Sequence, residues 1–465
     1  MPAPARVEAS MSRAPAAAAI AQNRFGLGAR DADAAIADPH RWLTDQLDRY
    51  DPRPAALRDQ PDGRALLLAY GAVRRDATTE AERMTMRQDA NQAIQAAYRA
   101  AVNARTAAAL ATPTPFPERL VHFWSNHFAL SADKPQVTAL AAAFEAEAIR
   151  PHLLGRFEDM LVAVAQHPAM LYYLDQDRSI GGDSPAALRA AARMPARRRG
   201  LNENLAREIL ELHTLGVRSG YGQADVTAFA EALTGWSVAC AQEDTPGQFL
   251  FRAGQHQPGP RTLLGRRYAQ PGVAQGRAVL ADLAASPATA RHVATKLARH
   301  FSADTPPPGL VTRLEHAYRD SGGDLPTLYR TLVHAPEPWA VPDRKFKTPW
   351  EWLLSSLRAT GRQDLGTMQV AALMTQLGQP IWKPGAPAGY DDVAAGWAAP
   401  DALLRRVELA PRLVAPIGDR LDPVALARRL LPGLLAPATE QALARAESRA
   451  SGLALLLVSP EFLRR

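Results

Sequence analysis

The sequence predicts a predominantly all-α protein: a large multi-helix domain with a small β-hairpin insertion near residues 236–265. Apolar residues recur at helical spacing, for example between residues 31 and 50, and the alanine-rich stretch 78–111 predicts one long helix. β-like segments are confined to Trp236–Val238, 248–251 and 261–264, which predict two or three short strands around a turn-rich loop.

Prolines mark where the predicted helices begin and end. Pro113 and Pro115 close the alanine-rich helix, and Pro117 suits the first turn of the next one, which reads PERLVHFWSNHF. A later helix breaks at His167-Pro168 and restarts as AMLYYLDQD. Helical patterns resume over 273–339 and again over 401–465, so helices are expected along almost the whole chain.

We expect a disordered N-terminus over residues 1–16 and a single helical domain over 17–465. Residues 179–200 are small, basic and glycine-containing, which makes them the best candidate for a mobile loop. Residues 378–400 contain proline and glycine and are expected to form a looser stretch. No internal repeat at a solenoid period is present.

Composition excludes several classes of protein. Hydrophobic residues make up 47% of the 465 residues and charged residues 22%, which suits a globular protein with a sizeable core. Cys240 is the only cysteine, so an intramolecular disulfide framework and a thiolate zinc cage are excluded.

No apolar run is long enough for a membrane span, and no clear export signal is present. We therefore expect a cytoplasmic protein, with a periplasmic location as the alternative. The net charge of +7 is spread among acidic neighbours apart from the basic run 193–199, which is expected to be a solvated loop. Nucleic acid is therefore not a favoured partner.

Residues 202–236 are expected to form two helices joined by a glycine turn, and we name them the central hairpin. At about 100° per residue, apolar residues of the first helix share one broad side. They are Leu201, Leu205, Ile209 and Leu212, extended by Ala206 and His213. The helix is therefore expected to be substantially buried.

The polar side of the same helix carries more acid than base. Glu203 and Glu211 each lie four residues from Arg207 and can pair with it. Glu208 falls at the border of the apolar side, beside Asn204, where an unpaired carboxylate needs a partner, a metal or a proton. This face is either a structural ion network or an acid/base or metal-binding face.

Three further residues are candidates for a site. His256 lies in the loop GQHQPGPR, where it has little packing role. Asp175 follows a tyrosine-rich helix end, where a solvated carboxylate is the alternative. His127 shares a helix face with Phe123 and Trp124, a position at which a core histidine is also common.

Common catalytic motifs are absent, namely HExxH, GxSxG and GxxxxGK. The Gly26-Leu27-Gly28 segment follows no predicted strand, so it is interpreted as a helix cap and turn. Trp236, which ends the second helix of the central hairpin, is most simply a core residue.

Several sequence blocks follow one another along nearly the whole chain, namely AIAQNRFGLGAR, RLVHFWSNHF, HPAMLYYLDQ, NENLAREILELHTLGV, ADVTAFAEALTGW, FKTPWEWLLSSLRA and SPEFLRR. These blocks resemble those of a large bacterial family known only as domain of unknown function number 1800. The resemblance implies a predominantly helical single domain and no particular reaction. It also implies a partner, because genes of the family often neighbour those of uncharacterised family number 1501, which resembles sulfatases and phosphatases. Many relatives are exported.

The motifs of the family carry over onto a set of polar residues in this chain. They are Asn126, His127, Asp175, Asn202, Glu203, Asn204, Arg207, Glu208, Glu211, Asp225, Gly235, Trp236 and His256. The chain departs from the common pattern at Ser125, Gln176, Gln257 and Arg261, where relatives often carry His, Asn, Asp and Lys. These departures indicate a divergent branch.

Two hypotheses follow. In the first, the chain is a hydrolytic or metal-assisted enzyme centred on the central hairpin, with a divalent metal as a candidate cofactor. Its catalytic residues would be Glu208, Glu211, His127, His256 and Asp175, and its binding or orienting residues Arg207, Asn126, Asn204, Glu203 and Trp236. In the second, the same residues form an ion network in a non-catalytic helical scaffold for a sulfatase- or phosphatase-like partner of family number 1501.

Overall fold

The computed structural model describes residues 13–30, 33, 35–193, 200–340, 345–362 and 365–465. It confirms a predominantly all-α protein. The α-helices up to the central hairpin are α1 (Arg13–Ile20), α2 (Pro39–Leu47), α3 (Gly63–Asp76), α4 (Glu80–Ala111), α5 (Pro115–His127), α6 (Pro135–Phe144), α7 (Phe157–Gln166), α8 (Pro168–Tyr173) and α9 (Pro185–Arg193). The later ones are α10 (Asn204–Glu208), α11 (Gln223–Ala232), α12 (Val273–Ala285), α13 (Pro287–Phe301), α14 (Pro308–Asp320), α15 (Leu325–His334), α16 (Pro349–Ala359), α17 (Val370–Gln376), α18 (Pro400–Val414), α19 (Pro423–Leu430), α20 (Pro437–Ala444) and α21 (Arg449–Leu457).

Side-chain caps fix where several helices begin. At α4, Thr79 and Glu82 form a capping box, since each side chain accepts the backbone N–H of the other residue. Thr348 and Glu351 form the same motif at α16. The second box places the Glu351 carboxylate in the first turn of a buried helix, where it takes part in the site described below.

The β-region differs in number from the prediction. β1 (Trp236–Val238) pairs antiparallel with β2 (Phe249–Phe251), and β3 (Arg261–Leu263) pairs antiparallel with β4 (Arg266–Tyr268). The sequence analysis missed β4, whose residues are mostly charged and lack an apolar alternation. The insertion is therefore two short hairpins that extend to residue 268.

The first helix of the central hairpin is not a regular α-helix. α10 covers only Asn204–Glu208 and continues as a π-helical turn over Ile209–His213. The Thr214 hydroxyl donates to the Ile209 carbonyl at 2.6 Å. Because a π-turn has more residues per turn, Leu210 becomes buried and Leu212 only partly so, which corrects the angular placement made from the sequence.

Other segment predictions have mixed outcomes. Within the predicted loop 179–200, Pro185–Arg193 forms a helix, and residues 194–199 lie outside the described residues, as does most of the basic run. Residues 1–12 of the predicted disordered terminus also lie outside them, whereas α1 begins at Arg13. Among the described residues, no helix combines the length and the apolar character that a bilayer crossing requires.

The helices bury two hydrophobic clusters. One contains Phe123 and Phe144 and the other contains Trp350 and Ile381, while Trp382 packs against both. The polar cavity described next is lined by all five of these residues. It therefore lies where the two hydrophobic clusters meet.

Candidate functional site

A cavity of about 260 Å³ lies between α5, α13, the start of α16 and the stretch 379–392. We name it the polar cavity. Its charged and imidazole-bearing lining residues are Arg105, Arg119, His122, His127, Lys296, Arg299, His300, Glu351, Asp391 and Asp392. Such a concave space with convergent polar groups is the usual form of a small-molecule site.

The loose stretch 378–400 forms one wall of the polar cavity and is fixed to α5 by Asn126. The Asn126 side chain donates to the Tyr390 carbonyl at 2.9 Å and accepts from the Tyr390 N–H at 2.7 Å. Gly389 has φ +81°, and a Cβ there would collide with the Asn126 backbone. Asn126 and Gly389 thus position the segment that carries Asp392.

His300 and Asp392 form a hydrogen-bonded pair at the cavity wall. Nδ1 of His300 donates to Oδ2 of Asp392 at 3.0 Å, while Nε2 is buried and has no hydrogen-bond partner among the described residues. Burial lowers the pKa of His300, against the opposing effect of Asp392. The neutral imidazole therefore keeps an unprotonated Nε2.

Asp392 is held as an anion. Burial alone would raise its pKa, but His300, Lys345 and Arg465 together lower it to about 2. Lys345 Nζ lies 3.6 Å and Arg465 Nη2 3.7 Å from Oδ1 of Asp392. The carboxylate can therefore orient His300 and stabilise its protonated form.

Lys296 and Arg299 lie one turn apart on α13 and both line the polar cavity. No hydrogen bond or ion pair of Lys296 Nζ occurs within the described ranges. Burial lowers the pKa of Lys296 to about 8, with Asp392 opposing and Arg299 adding to the shift. Arg299 donates through Nε to the Asp304 carbonyl at 3.2 Å, and no carboxylate in the described part of the chain pairs with it.

The other cations of the cavity are already paired. Arg105 Nε lies 2.9 Å from Glu145, and Arg119 pairs with Glu351. The guanidinium of Arg105 also lies 4.9 Å from the Trp350 ring centre and 5.5 Å from that of Trp382. This side of the cavity is aromatic and electrically compensated.

Of the residues predicted from the sequence, Asn126 and His127 line the polar cavity. His127 is buried, and its Nε2 donates to the His213 carbonyl at 3.1 Å. Burial, with smaller effects from Lys296, His292 and His213, holds the pKa of His127 well below its usual range. His127 is therefore a neutral residue of the cavity lining.

The charged face of the central hairpin lies elsewhere. Arg207 pairs with Glu203 at 3.0 Å and with Glu211 at 3.7 Å. Thr227 and Gln223 also donate to Glu203, and these hydrogen bonds lower its pKa. Asn204 is exposed and donates through its backbone N–H to the Asn202 side chain. These residues are a mutually satisfied set, and none of them lines the polar cavity.

Glu208 is partly buried at the border of the apolar side of its helix, as its sequence position predicted. Burial raises its pKa, and the neighbouring charge of Glu211 raises it further. No hydrogen bond or ion pair to its carboxylate is formed by the residues that the structure describes. It does not line the polar cavity.

Asp175, His256 and Trp236 are also separate from the polar cavity. Asp175 has a left-handed backbone, φ 55°, and lies 2.8 Å from Lys134 Nζ. His256 donates through Nδ1 to the Thr234 carbonyl at 2.9 Å. Trp236 is buried and packs on Phe249. The expected meeting of His127, His256 and the hairpin carboxylates around one cavity is not observed, and their individual catalytic roles stay predictions.

Among the described residues, no three His, Cys, Asp or Glu side chains lie close enough to hold a metal ion together. The described residues therefore provide no ligand set for the divalent metal that the sequence suggested as a candidate cofactor.

Sequence analysis missed His300, Asp392, Lys296 and Arg299. The segment RHVATKLARHF falls within the helical pattern 273–339 and predicts an ordinary helix, although Lys296, Arg299 and His300 share one face of it. Their placement beside apolar residues of the same helix was the available signal. The sequence carries no such signal for Asp392, because a carboxylate in a loose stretch is usually solvated.

The fold and the site together define a large helical protein with a histidine–carboxylate pair at a polar cavity. The model of the family described as "Protein of unknown function (DUF1800)" matches residues 20–464, and the chain belongs to that family. No match was found among curated proteins or among solved structures.

Proposed function

We propose that this protein is a hydrolytic enzyme that acts on a small molecule in the polar cavity, with His300 as the acid/base group. The proposal keeps the carboxylate–histidine chemistry expected from the sequence and moves its centre from the central hairpin to α13 and residues 379–392. The observation that carries it is the hydrogen bond of 3.0 Å between His300 and the ionised Asp392 at the cavity wall.

The chemistry follows from the two ring nitrogens of His300. Asp392 fixes the proton on Nδ1, so Nε2 can accept a proton from water as the water oxygen attacks an electrophilic centre. Asp392 stabilises the imidazolium that results. Nε2 then returns the proton to the leaving group, which restores the neutral ring and balances the reaction.

The experiment is a turnover assay of the full chain with 4-nitrophenyl acetate, phosphate and sulfate. His300→Gln is expected to lower the turnover of the accepted substrate by about a hundredfold or more, because it removes the proton-transfer group. His316→Gln, an exposed histidine on α14, is the matched control and is expected to have no effect. No turnover of any probe, or equal turnover by His300→Gln, would contradict the proposal.

The non-catalytic scaffold is the second candidate, and the self-pairing of Glu203, Arg207 and Glu211 favours it for the central hairpin. In this role the protein would bind and support a sulfatase- or phosphatase-like partner of family number 1501. Co-elution of the two purified proteins on size exclusion would support this role. Separate elution at micromolar concentrations would count against it.

A further inference from the structure

The polar cavity contains more positive charge than its own carboxylates neutralise. Arg105 and Arg119 each have a carboxylate partner, and the charge of Asp392 is compensated by Lys345 and Arg465, at 3.6 Å and 3.7 Å. Lys296 and Arg299 have none within the described ranges. The remaining carboxylate of the lining, Asp391, is exposed, so solvent weakens its field.

A cation that faces a cavity without a partner is costly unless a ligand compensates it. Lys296 lines the polar cavity, and its titratable neighbours His127, His213 and His292 have lowered pKa values and are neutral. The anion that acts on Lys296 is Asp392, which Lys345 and Arg465 already share. An oxyanion would lie between the Lys296 ammonium and the Arg299 guanidinium with favourable charge-assisted hydrogen bonds.

The lining of the polar cavity also suits an apolar or ring-containing group. Trp350, Trp382, Phe123 and Tyr390 all contribute to the lining. The cavity is smaller than most drug-binding pockets, so the occupant has the size of a small metabolite. Cations and aromatic rings thus line one compact space.

We propose that the substrate of the polar cavity carries an oxyanion group, held by Lys296 and Arg299, and an apolar body that packs on Trp350 and Trp382. The assignment of this molecule as the substrate rests on the proposed function. Its binding does not, since neither cation takes part in proton transfer. His300 lies four residues after Lys296 on the same face of α13, which places it beside the bound group.

The test is isothermal titration calorimetry at low ionic strength with benzoate, phenyl phosphate and phenyl sulfate, and with the neutral analogue benzyl alcohol. We expect at least one of the three anions to bind, and to bind at least about tenfold more tightly than benzyl alcohol. The three anions distinguish a carboxylate, a phosphate and a sulfate as the recognised group.

Variants of α13 then locate the site. Lys296→Met and Arg299→Met are each expected to weaken anion binding at least about tenfold, whereas Lys296→Arg keeps the charge and should retain most of the affinity. Arg291→Met is the matched control on the same helix, because Arg291 is exposed and pairs with Glu315. It is expected to bind like the unaltered protein. Thermal unfolding without ligand checks that each variant is folded.

The outcomes separate the two proposals. Anion binding that Lys296→Met abolishes and His300→Gln leaves intact supports the substrate class, even if no probe is hydrolysed. Turnover of a neutral ester without binding of any anion would overturn the substrate class and leave the proposed function standing. Anion binding that is unchanged in folded Lys296→Met and Arg299→Met would overturn the site.

Discussion

The central hairpin and the polar cavity carry similar numbers of charged side chains but use them differently. On the hairpin, Arg207 and Glu203 belong to one helix and keep 37% and 27% of their side-chain area exposed. At the cavity, Arg119 and Glu351 keep 3% and 7% and come from positions 232 residues apart. Pairing within a helix satisfies charge locally, whereas pairing across the fold fixes helices around a space that a ligand can occupy.

The largest expected difference is in the free energy of unfolding when one carboxylate is neutralised in each region. Glu351→Gln leaves Arg119 buried without its carboxylate and Arg465 with Asp392 alone, and we expect it to lower the free energy of unfolding by about 3–5 kcal/mol. Glu203→Gln, the matched change on the hairpin, should cost less than about 1 kcal/mol. Urea denaturation followed by circular dichroism measures both. Equal effects would show that burial does not separate the two regions.

A second difference is a dependence of stability on pH that comes from the buried histidines beside the cavity. Burial lowers the pKa of His213 to about 3, below its unfolded value of 6.5. As pH falls from 6.5 towards 3, His213 is therefore protonated in the unfolded chain and neutral in the folded chain. Stability should therefore fall by about 1.4 kcal/mol per pH unit for this residue.

His213→Phe is expected to reduce that slope, whatever its effect on absolute stability at neutral pH. The unfolding free energy at pH 7, 6, 5 and 4 gives the slope for each protein. The groups that face His213 are Lys296, His292 and His127, and all remain in the variant. An unchanged slope would show that His213 is not kept neutral by the fold.

The smallest expected effect is that of Glu208→Gln on the central hairpin. Because burial raises the pKa of Glu208 and no cation bonds to it among the described residues, removal of its charge should change stability by less than about 0.5 kcal/mol, towards greater stability. Turnover of the 4-nitrophenyl substrates should be unchanged. A large loss of turnover in folded protein would return the catalytic centre to the hairpin.

The fold class was predictable because helical periodicity, proline positions and caps are local properties of the sequence. The boundaries of α4 and the cap at Thr79 follow from such signals. The π-turn at Ile209–His213 did not, because its register depends on packing against other elements. β4 was missed because its residues show no apolar alternation, and only its pairing with β3 in the fold makes it a strand.

The site was predictable only where a polar residue had an unusual local context. Asn126 and His127 were identified, and both line the polar cavity. His300 and Asp392 lie 92 residues apart and meet only through the fold. The excess of acidic residues on the central hairpin is visible in the sequence, because the spacing within one helix shows which charges can pair. The lack of a partner for Lys296 depends on residues distant in sequence, so only the structure shows it.

We propose that ligand recognition belongs to the polar cavity and not to the central hairpin. Titration of Lys296→Met and Arg207→Met with the anion that binds the unaltered protein most tightly tests it most directly. We predict binding at least about tenfold weaker for Lys296→Met and unchanged for Arg207→Met. Weakened binding in Arg207→Met with normal binding in Lys296→Met would contradict the claim.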